Sequence, residues 1–379
     1  MPVHAKDEYA EIVDVVRDFA RRELAPRVDT LDEKEEPLAG IWARLAELDL
    51  LGITVPEAHG GAGLGAVAAA AVTEELASVD PGTALSYLAH TILFVHNVAT
   101  HAQDDIKRRY LPGCLSGQTV AGLAMTEPGI GSDAAGMTTK MLRCGDEYVL
   151  DGRKMFITNG PNGDVFLVYA RTPGMERKLS MFVVERGFPG FERGRKLRKM
   201  GMRSSPTGEL VLEGCRVPAA NLVGKEGGAL VPMMQNLDIE RVCLAAISLG
   251  IAKACLDHAL RYARERQQFG RPIIQFQAVG HKVADMYIQH RAASSLVYEA
   301  AQAIDAGERA RPLAAAAKTF ASETATRAAL DAIQVLGGYG YIREFPVERL
   351  ARDAKLLEIG GGTSEILRNL VVNELQRGQ

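Results

Sequence analysis

Apolar positions near the start of the chain recur at helical spacing. Tyr9, Ile12, Val15, Val16, Phe19, Ala20 and Leu24 fall mostly three or four apart, which predicts an amphipathic helix over residues 7–26. Trp42, Leu45, Leu48 and Leu50 continue the pattern, and residues 56–65 form a glycine-rich break. Residues 67–77 and 84–98 are apolar nearly all round, which predicts helices buried on most sides. From about residue 118 the pattern changes to short runs rich in β-branched and aromatic residues, at 138–143, 147–150, 155–158, 165–169 and 181–184. Gly145 with Asp146, Asp151 with Gly152, Asn159 with Gly160 and Asn162 with Gly163 read as turns between or beside them. Strands so spaced without intervening helices predict a sandwich or barrel.

Beyond residue 223 the helical period returns. Long amphipathic stretches cover 228–266, 277–306 and 312–336, with breaks at 270–272 and 337–340, and a last helix is predicted at 364–376 after Gly360, Gly361 and Gly362. The chain thus divides into a helical domain at 1–117, a β domain at 118–222 and a helical domain at 223–379. The fold class is α+β, mostly α.

Composition narrows the function. At 379 residues, 47% hydrophobic and 24% charged, the chain is an ordinary globular protein long enough for two or three domains. Its 44 basic and 47 acidic residues leave a net charge of −3, so no basic excess marks nucleic acid as the main partner. The five cysteines, Cys114, Cys144, Cys215, Cys243 and Cys255, are scattered without a C-x-x-C pair and read as free thiols in a reducing compartment. The eight histidines form no ligand cluster, so no metal site is expected. The start lacks the cationic and apolar pattern of a secretory leader, and no apolar run approaches the roughly 18 residues that span a bilayer. The expected location is the cytoplasm, or an organelle matrix after removal of a transit segment.

Candidate chemistry is sparse when each piece is taken alone. Glu240 stands beside Arg241 at the start of the apolar run Val242–Ala246; in a dry site its pKa would rise toward that of a general base. The same pattern also suits a helix-surface carboxylate paired with a neighbouring turn. Met125–Asp133 crowds glycines and hydroxyls as a phosphate or ring cradle would, yet it matches no nucleotide fingerprint and also reads as a turn. Phe156 to Thr158 reads as a strand entering a turn, and residues 262–270 as a charged helix end with a glycine cap. Gln334 with Gly337 and Gly338 reads as a helix stop.

Together, five motifs change the picture: A-M-T-E-P-G-I-G-S-D at 124–133, K-M-F-I-T-N-G at 154–160, R-x-Q-F-G at 266–270, Q-V-L-G-G-Y-G-Y at 334–341, and R-D-A-K followed by G-G-T-S-E-I, spanning 352–366. In order and spacing they resemble the acyl-CoA dehydrogenase family of flavoproteins, over nearly the whole chain from Tyr9 to Leu375. The resemblance implies a helical N-terminal domain, a middle β-barrel and a C-terminal four-helix bundle, with FAD between barrel and bundle. Met125, Thr126, Ser132, Phe156 and Thr158 would line the flavin. Arg266, Gln268, Phe269, Gln277, Gln334, Gly337 and Gly338 would reach the FAD of a neighbouring subunit. Thr363 and Glu365 would contact FAD from the last helix. A shared cofactor implies at least a homodimer, and the family pattern a homotetramer.

Many family members place the catalytic glutamate before the glycine of an E-G-T triplet. That slot here is Gly361, while the alternative slot, used by isovaleryl-CoA dehydrogenase-like members, holds Glu240. Phe156 stands where many members have tryptophan and keeps an aromatic wall. The resemblance implies an FAD-dependent dehydrogenase: Glu240 takes the α-proton of an acyl-CoA, the β-hydride passes to flavin N5, and the Gly361 N–H helps hold the thioester oxygen. Asp238 and Arg241 would line the pantetheine, with Ser132 nearby and Arg177 toward the CoA phosphates. Leu244 would face the acyl pocket, which Gly360 and Gly361 would widen for a short or branched chain, with Gly362 also at the substrate. Electrons would leave to an electron-transfer flavoprotein. Rival readings keep the scaffold but take an acyl group tethered to a carrier protein, or use O2 as a monooxygenase or oxidase. A DNA-associated relative is a third rival; it would carry a basic C-terminal extension, and this net-acidic chain shows none.

Overall fold

The computed structural model describes residues 7–175 and 177–377. Residues 1–6, part of the segment read above for targeting features, lie outside the described residues. The first layer is built from α1 (Ala10–Phe19), α2 (Val28–Lys34), α3 (Ile41–Glu47), α4 (Ala66–Ala77), α5 (Pro81–Leu88), α6 (Asn97–His101) and α7 (Asp104–Leu115). The apolar stretch predicted as one helix over 84–98 is a composite: α5 passes through a π-helical segment, Ala89–His96, into α6. Asp80 caps α5, accepting from the Gly82 N–H at 3.1 Å and the Thr83 hydroxyl at 2.7 Å.

The middle layer is one eight-stranded sheet: β1 (Ala121–Ala124), β2 (Lys140–Cys144), β3 (Glu147–Thr158), β4 (Val165–Arg171), β5 (Leu179–Glu185), β6 (Phe191–Lys196), β7 (Thr207–Pro218) and β8 (Leu222–Val223). The strand order is β6-β7-β3-β2-β4-β5-β8, with β1 parallel to β4. β4 is apolar throughout because both its faces are covered. Val165, Leu167 and Tyr169 pack among the helices, while Phe166, Val168 and Ala170 enter an interior shared with Leu150, Leu210 and Leu212. The sheet curls around that interior, bringing the Phe166 and Phe191 rings to 5.8 Å and Tyr148 and Phe182 to 5.0 Å. Among the described residues its end strands β6 and β8 are not paired with each other, so the expected barrel is curled and open rather than closed.

Two readings of local pattern are corrected here. Asp151 and Gly152 do not turn the chain; they lie inside β3, where the ladder with β7 slips a residue. The extra residue is on β7, where Gly214 takes a φ of 59° and donates its N–H to Asp151 at 2.7 Å. β6 and β7 also escaped the pattern. In β6 only Phe191 is buried, so alternation is not visible in so charged a strand.

The last layer comprises α8 (Leu230–Glu265), α9 (Gln277–Asp305), α10 (Arg311–Leu336), α11 (Val347–Leu357) and α12 (Ser364–Arg377). α10 packs on the other four, and α8 also packs on α4. The amphipathic reading of α8 holds only toward its ends. Every residue from Ile239 to Ala252 is buried, because α4, α9 and α10 surround that stretch. The α4–α8 crossing is close: a Cβ built on Gly250 would stand 2.5 Å from the Glu74 carbonyl oxygen. Every residue of α4 is buried, and its run of alanines permits that approach. No helix among the described residues is long and apolar enough to cross a membrane.

Candidate active site

Glu240 sits where α8 enters its encased stretch. Its side chain is 9% exposed and makes no hydrogen bond among the described residues, so it is not the surface carboxylate paired with a turn that the sequence also allowed. Burial raises its pKa to about 7, against the opposing pull of the Arg241 and Lys318 cations. A buried carboxylate without partners is costly, and such groups cluster where a proton must be moved.

The glycine turn at 360–362 lies against this carboxylate. Gly361 and Gly362 have φ of 65° and 98°, which L side chains rarely adopt. A Cβ built on Gly361 would stand 3.7 Å from Glu240 Oε1, so the two alternative slots for a catalytic glutamate face one another across one small space. The same Cβ would stand 2.3 Å from Leu244 Cδ1. Leu244 therefore packs against Gly361 and fills the space above it; the widening attributed to that glycine is corrected accordingly. The Gly361 N–H has no acceptor among the described residues, which leaves it free as a donor.

Sequence reasoning missed Lys318. It projects from α10, is fully buried, and donates to the Gly362 carbonyl at 2.7 Å. Burial lowers its pKa to about 8. A signal was available: Lys318 is flanked by Ala314, Ala315, Ala317 and Ala321, a small-residue face on which a lysine is out of place. Asp238 and Arg241, expected at the pantetheine, pair with each other at 2.8 Å, and Arg311 approaches Asp238 at 3.4 Å. Arg241 Nε is buried without a partner.

On the sheet side, β3 slips against β7 between Lys154 and Ile157, and the extra residue lies on β3. Met155 leaves the ladder and donates to the Thr126 carbonyl at 2.8 Å, while Phe156, at φ 61°, is turned outward and stands 66% exposed. The slip thus ties β3 to the 125–126 segment beside the outward Phe156, and Met125, Thr126 and Thr158 are each half-buried. Beneath it lies a second pair the sequence did not disclose. Lys154 donates to Glu127 at 3.0 Å and to the Met125 carbonyl at 3.0 Å. Glu127 also accepts from the backbone N–H and hydroxyl of both Thr138 and Thr139, and these donors with Lys154 hold its pKa down to about 2 against burial. Ser132 is exposed, and its neighbour Asp133 engages Arg177 at 2.6 Å, so that guanidinium already has a partner.

Arg266, Gln268, Gly337 and Gly338 line a separate cleft of about 460 Å³ with Tyr262 and Tyr339. Gly337 has φ 61° and ψ −132°, a conformation open to glycine alone. Phe269 is 92% exposed beside this cleft, and Gln277 and Gln334 are exposed nearby in sequence. Thr363 accepts from the Ile366 N–H at 3.3 Å at the start of α12, and Glu365 is exposed there, its pKa lowered chiefly by its own backbone N–H and the Thr363 hydroxyl.

These features define a class: a buried carboxylate with a pKa near neutral beside a backbone N–H without an acceptor, an outward aromatic face, and a cleft lined by an arginine and bare glycine backbone. The residues present therefore fit FAD. Family models for the N-terminal, middle and C-terminal domains of acyl-CoA dehydrogenase match residues 6–118, 122–215 and 227–376. The chain is 42% identical over 373 residues to mitochondrial isovaleryl-CoA dehydrogenase of Oryza sativa subsp. japonica, covering 97% of this chain and 91% of the relative. Butyryl-CoA dehydrogenase from Megasphaera elsdenii superposes with a TM-score of 0.94 at 36% identity, over 97% of this chain and 98% of that one. The FAD complex of PigA superposes with a TM-score of 0.94 at 30% identity, over 98% of each chain. The chain belongs to the acyl-CoA dehydrogenase family and is an FAD-dependent oxidoreductase.

Proposed function

We propose that this protein removes the α and β hydrogens of a short or branched acyl-CoA thioester, giving the trans-2-enoyl-CoA, with Glu240 as the base. The observation that carries this reading is the position of Glu240: buried, unbonded, its pKa near 7, and facing the alternative base slot at Gly361. A carboxylate so tuned can take a weakly acidic α-proton at neutral pH. The free Gly361 N–H supplies a donor for the thioester oxygen, where negative charge develops as the proton leaves. When bound, FAD supplies the acceptor for the β-hydride. Met125, Thr126, Phe156 and Thr158 would hold its ring, and Thr363 and Glu365 would approach from α12. Leu244, over Gly361, limits the acyl chain near its α carbon.

The cleft around Arg266 and Gly337 would take the FAD of a second subunit. The exposure of Phe269 at 92% and Tyr341 at 86% beside it supports a homotetramer in which these rings are covered. Reduced flavin would pass its electrons to an electron-transfer flavoprotein. The test is anaerobic titration of the yellow protein with isovaleryl-CoA, following the long-wavelength flavin band, in wild type and Glu240→Gln. Bleaching of wild type, with binding but no bleaching in the variant, supports the reading. No bleaching with any of a panel of short CoA thioesters sinks the substrate class. Equal bleaching in the variant sinks Glu240 as the base.

A further inference from the structure

We propose that Lys318 is a positioning residue for this reaction: from the first half of α10 it ties down the Gly362 carbonyl and so fixes the glycine turn that lies against Glu240. The inference rests on Glu240 being the base. Among the described residues no other side chain hydrogen-bonds the three glycines of the turn. Gly360, Gly361 and Gly362 carry no side chains, and the middle two peptide units run through left-handed conformations at Gly361 and Gly362. The flanking backbone bonds, Gly360 N–H to Leu356 at 2.8 Å and Ser364 N–H to Glu358 at 3.0 Å, close the turn at its two ends but leave its centre free. The Lys318 ammonium holds that centre, through the carbonyl of the residue that follows the free Gly361 N–H. A charged amine at 0% exposure is expensive to bury, and a neutral side chain on this alanine-rich face would cost nothing comparable.

The ammonium also acts at a distance. The charged groups around Glu240 are Arg241 on its own helix and Lys318 across from α10. Tyr169 on β4 and Cys243 on α8 lie within electrostatic range of it. Around Lys318 stand Glu240, Arg241, Glu358 and Glu365. The cation favours the charged form of Glu240 and so lowers its pKa. Removing it must move the base upward, and the rise of kcat with pH must follow.

The experiment compares wild type, Lys318→Met, Lys318→Gln and Glu240→Gln as flavin-loaded enzymes with isovaleryl-CoA and an artificial electron acceptor. It reads kcat, KM and the pH profile of kcat. In Lys318→Met, kcat is expected to fall by about 10–100-fold with KM within about threefold, as for a misplaced reacting group. The pH at which kcat rises should move up by about one unit in both neutral variants. Lys318→Gln, which keeps a polar donor, should lose less kcat than Lys318→Met. A purely structural lysine would leave the pH profile in place. A folded, yellow neutral variant with the kcat and pH profile of wild type overturns the proposal. If neither neutral variant folds, Lys318 is a stability element and the positioning role is likewise overturned. An inactive wild type, or an active Glu240→Gln, is a failure of the base assignment and is read separately.

Discussion

The molecule contains two buried neighbourhoods built from the same two residue types, and they do opposite things. Under the Phe156 surface, Lys154 and Glu127 touch at 3.0 Å, and Glu127 takes further bonds from Thr138 and Thr139. At the proposed base, Lys318 and Glu240 act on each other through space, and Glu240 takes no hydrogen bond among the described residues. Burial alone pushes both carboxylates upward. Donors then pull Glu127 down to about 2, while Glu240 stays near 7. A buried glutamate becomes a strut or a base according to the hydrogen bonds it is given or denied.

Substitution at each carboxylate should separate the two roles most sharply. Glu240→Gln is expected to lower kcat by at least about 1,000-fold with the fold intact, checked by steady-state assay and circular dichroism. Glu127→Gln should instead leave Lys154 without its counter-charge and destabilise the protein by about 3–5 kcal/mol, read from denaturant unfolding.

The pH dependence of stability should run in opposite directions. Glu127, lowered from 4.5 to about 2, stabilises the fold above its unfolded pKa, and that contribution of about 3 kcal/mol disappears as pH falls from near 4.5 toward 2. Glu240, raised from 4.5 to about 7, does the reverse: the fold is favoured below pH 4.5 and loses about 3 kcal/mol as pH climbs through 7. Thermal melts of Glu240→Gln should therefore match wild type at pH 4.5 and exceed it at pH 8. A wild-type melting curve at pH 8 would break the comparison.

The smallest expected effect concerns the turn. Gly361→Ala meets Leu244 Cδ1 at 2.3 Å and a φ of 65°, so it should cost about 1–3 kcal/mol in unfolding free energy. Combining it with Leu244→Ala should recover the steric share and leave the backbone strain.

Much of the frame was legible from the chain. The helices at Gln277–Asp305 and Arg311–Leu336 lie within a residue of their apolar stripes. β4, buried on both faces, stood out as a continuous apolar run. β6 did not, because its edge position leaves five of its six residues at least partly exposed. Glu240 was visible as a carboxylate leading an apolar run, but its lack of partners is a property of three dimensions. Lys154 and Glu127 are 27 residues apart and meet because β3 lies against the 125–127 segment. No local periodicity encodes such a meeting.

The contact between Leu244 and the empty side of Gly361 also bears on descent. A glutamate arriving at 361 would meet Leu244 at its first carbon and the Glu240 carboxylate close by, so that single step is penalised by bulk and by like charge. A base moving across the pocket therefore draws positions 244 and 240 into the change along with 361, because the three share one small space.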